Sequence, residues 1–281
     1  MSTPPGSRIG GVPSPSPSFA PSWPRWASFN WRGALLPVGA LALLEVLVRI
    51  GWVSPYVLPP PSALLDTLVD LSRGPLWVHL LASTGRVATG FVIGAVIAIV
   101  IGSLVGLLHT VERYLEPTFQ ALRAVPSLAW VPLLMIWFGI GESSKIILIA
   151  KGAFFPVYIN LVSGIRNVDR KLVEVGRMYR QPLHVMIRRI FIPAALPQLF
   201  TGLRFGLSIA WLSVVAAELL AASEGIGYLL SDGREVSRPD LVLIAIISLA
   251  ILGKVSDSLL KALEDRLLGW RDTYAAEAPS T

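Results

Sequence analysis

The chain is 281 residues long, 53% hydrophobic and only 15% charged, with no cysteine and a formal net charge of +6. A soluble domain carries about 25% charged residues, so the composition points to lipid as the main solvent. The lack of cysteine excludes a disulfide framework or a thiolate metal site. The basic residues lie mostly between apolar runs, where they set membrane topology. No aromatic–basic module of the kind that reads RNA or DNA is present, so no nucleic acid is expected as a partner.

Residues 1–32 are rich in Pro, Ser and Gly, as in Pro13-Ser14-Pro15-Ser16-Pro17-Ser18. Such a segment buries too little apolar surface to order itself, and a disordered cytoplasmic tail is expected. The apolar run 33–53 is longer than the core of a signal peptide and lacks a small-residue cleavage site. It reads as a first membrane span. After the prolines at 59–61 a short amphipathic helix is expected over 63–71, with Asp66 and Asp70 one turn apart. A second span over 80–108 carries Gly90-x-x-x-Gly94 and Gly102-x-x-x-Gly106, spacings that let helix backbones approach closely in lipid. A third span, 118–138, holds Pro126 and Pro132, and a proline kinks a helix. Spans four to six are expected over 144–165, 199–222 and 241–260.

Runs of about 20 apolar residues cross the hydrocarbon core as helices, because lipid leaves no other partner for the backbone. The expected architecture is therefore an all-α polytopic membrane protein with six transmembrane helices over 33–265. A short tail, 266–281, follows. Lys and Arg cluster before span one, in the segment 166–198 between spans four and five, and after span six. With six spans these three regions share one side, which the positive-inside rule makes the cytoplasm. His79, His109 and His184 are far apart and form no spaced metal-ligand motif.

The basic segment 166–198 is too polar to span and too periodic to be a plain linker. Leu172, Val175, Gly176 and Tyr179 share one face at helical spacing, as do Leu183, Met186, Ile187 and Ile190 beyond Pro182. Two short helices broken at Arg180-Gln181-Pro182 are expected, since a residue before proline avoids the helical region.

Here the sequence resembles the permeases of ABC importers, whose cytoplasmic signature reads E-A-A-x3-G-x9-I-x-L-P. This chain has Glu174-Val175-Gly176, three residues, Arg180, nine residues, then Ile190-Phe191-Ile192-Pro193. The register matches without a gap. Val175 and Gly176 replace the two alanines, Arg180 the turn glycine and Ile192 the leucine. A left-handed arginine costs on the order of 1 kcal/mol, and Pro182 offers a different backbone route to the break. Val125-Pro126-Ser127-Leu128-Ala129-Trp130-Val131-Pro132-Leu133 and Ala216-Ala217-Glu218-Leu219-Leu220 resemble the nitrate, sulfonate, taurine and bicarbonate permeases. Phe155-Pro156-Val157-Tyr158-Ile159-Asn160 is most similar to the aliphatic-sulfonate permeases.

The resemblance covers roughly residues 35–272 and implies the type I ABC importer permease fold in the inner membrane. It implies a small organic anion, most of all an aliphatic sulfonate, as the cargo, with taurine, nitrate, bicarbonate and aromatic carboxylates as alternatives. It assigns Glu174, Val175, Gly176, Arg177, Tyr179, Arg180 and Gln181 as the contact with an ATPase. The implied partners are two ATPase copies, a second permease copy in a homodimer, and a periplasmic or lipid-anchored binding protein. ATP and Mg belong to the ATPase, and no cofactor is expected in this chain. No phosphate-binding loop is present: Gly139-Ile140-Gly141-Glu142-Ser143-Ser144-Lys145 lacks the glycine before the lysine. The rival classes are a secondary transporter, which calls for inverted repeats or an ion relay, and a membrane scaffold.

Charges within spans are functional candidates by default. Lys151 is a candidate for drawing an anion into a translocation path. The competing reading is a snorkelling lysine, or one paired with Glu142 or Glu218. Glu218 repels an anion and is expected in a structural hydrogen bond or ion pair, though it stays with Lys151, Trp137 and Trp211 among candidate path residues. Trp130, Trp137 and Trp211 are otherwise packing or interface anchors. Glu45 and Arg49 are expected to pair, and Arg86 and Arg204 to snorkel.

Overall fold

The computed structural model describes residues 31–269, and every regular element among them is helical. The chain divides into two units, residues 1–43 and 44–281. The described part of the first is the start of helix α1 (Trp31–Arg49). Most of the expected N-terminal tail lies outside the described residues, but Trp31 and Arg32 already belong to α1.

In the second unit, α2 (Pro61–Ser72) begins at the last of three prolines, where a missing N–H costs nothing. The Glu45 carboxylate accepts from Arg49 Nε at 2.8 Å, as expected, and also from the Ser62 amide at 3.2 Å and hydroxyl at 3.0 Å. Helix α3 (Pro75–Leu107) follows, and then α4 (His109–Ala124), a 3-10 turn (Ser127–Trp130) and α5 (Val131–Phe138). The expected straight third span is instead broken: its two arms meet at 92°. Val125 precedes Pro126 and is extended, with φ −79° and ψ 119°, because the proline ring crowds a helical residue before it. Pro132 sits in the first turn of α5 and does no damage.

Helix α6 (Glu142–Arg166) leads into α7 (Arg170–Met178) and α8 (Leu183–Met186). A π turn (Ile187–Phe191) then joins α8 to α9 (Ile192–Ala221). This corrects the expected hairpin of two separate short helices. The second arm continues into the membrane as one helical run, Leu183–Leu220, of 38 residues. The π turn falls just before Pro193, which has no N–H to donate and whose ring crowds the carbonyl four residues back. Widening the helix by one residue there relieves the clash without breaking the run. Helix α10 (Ile226–Glu235) and α11 (Pro239–Leu267) complete the described residues.

Among the described residues four helices are long and apolar enough to cross a membrane: Pro75–Leu107, Glu142–Arg166, Leu183–Leu220 and Pro239–Leu267. The bent α4–α5 pair is a fifth if it forms one span. Helix α6 packs between α3 and α9. Lipid tails give little hydrophobic drive to helix association, so close packing must supply it. A Cβ at Gly94 of α3 would overlap the Ala150 carbonyl of α6, and one at Gly206 of α9 would come within 3.0 Å of the Ala153 carbonyl. Ile149 and Ala153 of α6 are fully buried between Val87, Ala210 and Val214. The same core takes in Ile226 and Leu229 of α10 and Ile244 of α11.

Candidate functional site

Three features stand out: the α7 hairpin, a buried ion network, and a cavity beside Lys151. Asp169 caps α7 by accepting from the Lys171 amide at 2.9 Å. At the other end the Gln181 amide donates to the Gly176 carbonyl at 3.1 Å and the Arg180 amide to the Arg177 carbonyl at 2.9 Å. That pair of bonds is a Schellman motif, which requires a left-handed residue between them. Arg180 has φ +50°. The turn therefore keeps the backbone conformation a glycine would give, and the expected alternative route through Pro182 is not taken. Arg180→Gly is expected to stabilise the hairpin by about 1 kcal/mol. Thermal unfolding of the purified protein, with Arg180→Ala as the non-glycine reference, checks this.

On α7 only Gly176 is buried, against Ile190 and Met186. Leu172, Val175 and Tyr179, which share a face with Gly176 by helical spacing, are exposed. With Met178 (81% exposed) and Leu183 they form an apolar surface that nothing in this chain covers among the described residues.

The ion network centres on Arg86, expected to snorkel but only 5% exposed. Its Nη1 donates to Glu218 Oε1 at 2.7 Å and to the Glu224 carbonyl at 2.7 Å. Its Nε and Nη2 form a two-pronged bond to Glu142 at 2.6 and 2.8 Å. Lys145 Nζ donates to the same Glu142 at 2.9 Å. Glu218, 1% exposed, also accepts from the Ser83 hydroxyl at 2.8 Å and the Gly227 amide at 2.9 Å. The Ser83 oxygen in turn accepts from the Ile226 amide at 2.8 Å, and His79 Nδ1 from the Gly225 amide at 3.1 Å. Gly225 has φ +123°, and a Cβ there would collide with the Glu218 carboxylate. The network thus fastens the loop 222–225 and the start of α10 to α3, α6 and α9. Sequence reasoning placed Glu218 in such a structural role but missed Arg86, Ser83 and Glu142. The available signal was Ser83 and Arg86 one turn apart on an apolar helix.

The third feature is a cavity of about 510 Å³ between α3, α4, α5 and α6. Lys151 lines it and is paired with neither Glu142 nor Glu218, which are taken by the network. Its ammonium sits 5.1 Å from the Trp130 ring centre and 5.7 Å from that of Phe155. Trp137, Phe119 and Phe154 line the same space. The Trp130 indole N–H is buried without a partner among the described residues. Of the four candidate path residues, Lys151 and Trp137 meet here. Trp211 lies in the core, donating to Ser256 Oγ at 2.9 Å, and Glu218 lies in the ion network. Arg204, expected to snorkel, pairs with Asp257 at 2.8 Å. No cluster able to hold a metal ion occurs among the described residues.

Comparison with known proteins decides the class. Residues 77–269 match the model of the binding-protein-dependent transport system inner membrane component family. The chain belongs to this family. It is 43% identical over 267 residues to the protein described as the aliphatic sulfonates transport permease SsuC of Bacillus subtilis, covering 94% of this chain and 97% of that protein. The Escherichia coli protein of the same description is 42% identical, over 85% of this chain and 91% of its own. The taurine transport system permease TauC of Escherichia coli is 36% identical, over 86% and 93%. The chain is thus a multi-pass membrane permease of an ABC importer, and membership implies an ATPase and a substrate-binding protein as partners.

Proposed function

We propose that this chain imports aliphatic sulfonates, as one of two permease copies driven by two ATPase copies, in the type I importer architecture. The arrangement has six spans: α1, α3, the bent α4–α5 pair, α6, the run through α9, and α11. The distribution of basic residues supports placing both termini and the α7 hairpin in the cytoplasm. ATP and Mg sit in the ATPase, and a periplasmic or lipid-anchored protein delivers the sulfonate from outside.

The observation that carries the mechanism is the uncovered apolar face of α7 next to the long run Leu183–Leu220. At 1.5 Å per residue that run spans about 57 Å. One end carries α8, packed on Gly176 of the hairpin; the other carries Glu218, which anchors the loop 222–225 through Arg86. A push on the hairpin by closing ATPases is carried by a single helix to the opposite face. Alternating access follows if this helix tilts with the elements the ion network ties to it. Similarity to the sulfonate permeases supports the cargo.

The test is growth of a strain deleted for the gene, with an alkanesulfonate, taurine or sulfate as sole sulfur source. Restoration of growth on alkanesulfonates by the wild-type gene, with growth on sulfate independent of it, is the expected result. Growth on alkanesulfonates without the gene, with no other importer for them present, would contradict the assignment.

A further inference from the structure

We propose that the cavity beside Lys151 is an intramembrane binding site for an anion with one charged head and an apolar tail. The inference rests on the importer reading above and adds where the cargo sits and what selects it. Lys151 lies nine residues into α6, about 13 Å along the helix axis, far from the water-facing end where a lysine can snorkel cheaply. An ammonium at that depth is costly unless something compensates it. No acidic side chain lines the cavity among the described residues, and Lys151 has no ion-pair partner among them. The faces of Trp130 and Phe155 supply partial compensation only.

A single cation in an otherwise apolar lining, with no acidic side chain beside it among the described residues, is the complement of one anionic head. The rest of the lining, with Trp137, Phe119, Phe154 and Phe155, offers apolar surface to an alkyl chain. The volume falls within the roughly 300–1,000 Å³ of organic-ligand sites. An inorganic anion leaves that surface empty. A zwitterion brings an ammonium that finds no carboxylate here.

Equilibrium binding of labelled hexanesulfonate to the permease–ATPase complex in nanodiscs, without the binding protein, tests the site. Uptake of the same probe by the complete system in proteoliposomes tests the reading beneath it. Hexanesulfonate is expected to bind, taurine and nitrate to compete poorly, and Lys151→Met to weaken binding on the order of tenfold or more. Lys151→Arg is expected to retain most of the affinity, which separates loss of charge from loss of fold. Normal uptake by the wild type with hexanesulfonate binding absent, or unchanged in Lys151→Met, overturns the site and leaves the importer reading standing. No uptake of any alkanesulfonate by the wild-type system overturns both.

Discussion

Arg86→Met is expected to destabilise the permease by about 3–5 kcal/mol, the cost of leaving a buried charge without its partner. The stranded group is Glu218, whose remaining donors are the Ser83 hydroxyl and the Gly227 amide. Glu142 suffers less, because it is partly exposed and keeps Lys145. The Glu224 carbonyl also loses its donor, so the loop 222–225 loosens. For a chain of this size the loss corresponds to roughly 5–10 °C in Tm, readable by size-exclusion chromatography of heated, detergent-solubilised protein. Neutralising the stranded carboxylate in Arg86→Met/Glu218→Gln is expected to recover much of the loss, since an amide oxygen still accepts from Gly227. Equal melting of Arg86→Met and wild type would show that the network does not hold the fold.

The second large effect is expected on transport. Val175→Glu/Met178→Glu places two charges on the exposed face of α7, away from Gly176 and its contacts with Met186 and Ile190. Surface substitutions of this kind change stability by about 0.5 kcal/mol or less, so the protein is expected to fold and insert normally. If that face seats on an ATPase, two carboxylates buried in the joint cost several kcal/mol between them. Uptake of labelled alkanesulfonate by cells is then expected to fall at least a hundredfold, while the amount of permease in the membrane stays the same. Retained uptake would mean that the hairpin is not where force enters.

How much of this was legible in the sequence differs by feature. The apolar runs located α3, α6, α9 and α11, because hydropathy over 20 residues is a strong signal. The break at Val125-Pro126 was half legible: proline announced a bend, but a 92° turn depends on what the two arms pack against. The hairpin position followed from its motif, but the left-handed Arg180 did not: with the turn glycine missing, the sequence also offered a route through Pro182. Its continuity with α9 did not, because Pro193 reads as a helix start and a π turn leaves no residue signature. Arg86 was misread for a physical reason. Arg86 lies only six residues into the apolar run 80–108, near enough to its end to reach water, and only the convergence of Glu142 and Glu218 from distant segments made burial the better state. Lys145 took the partner that Lys151 was expected to share, which left Lys151 to face the cavity. Pairings across about 60 to 130 residues have no local trace.

The most direct test of the central claim is capture of the ATPase by a tagged copy of this permease from native membranes. The wild-type chain is expected to bring down an ATP-hydrolysing partner in stoichiometric amount, and Val175→Glu/Met178→Glu to bring down little of it. Equal recovery of the partner with both chains, or none with the wild type, would contradict an importer driven through α7.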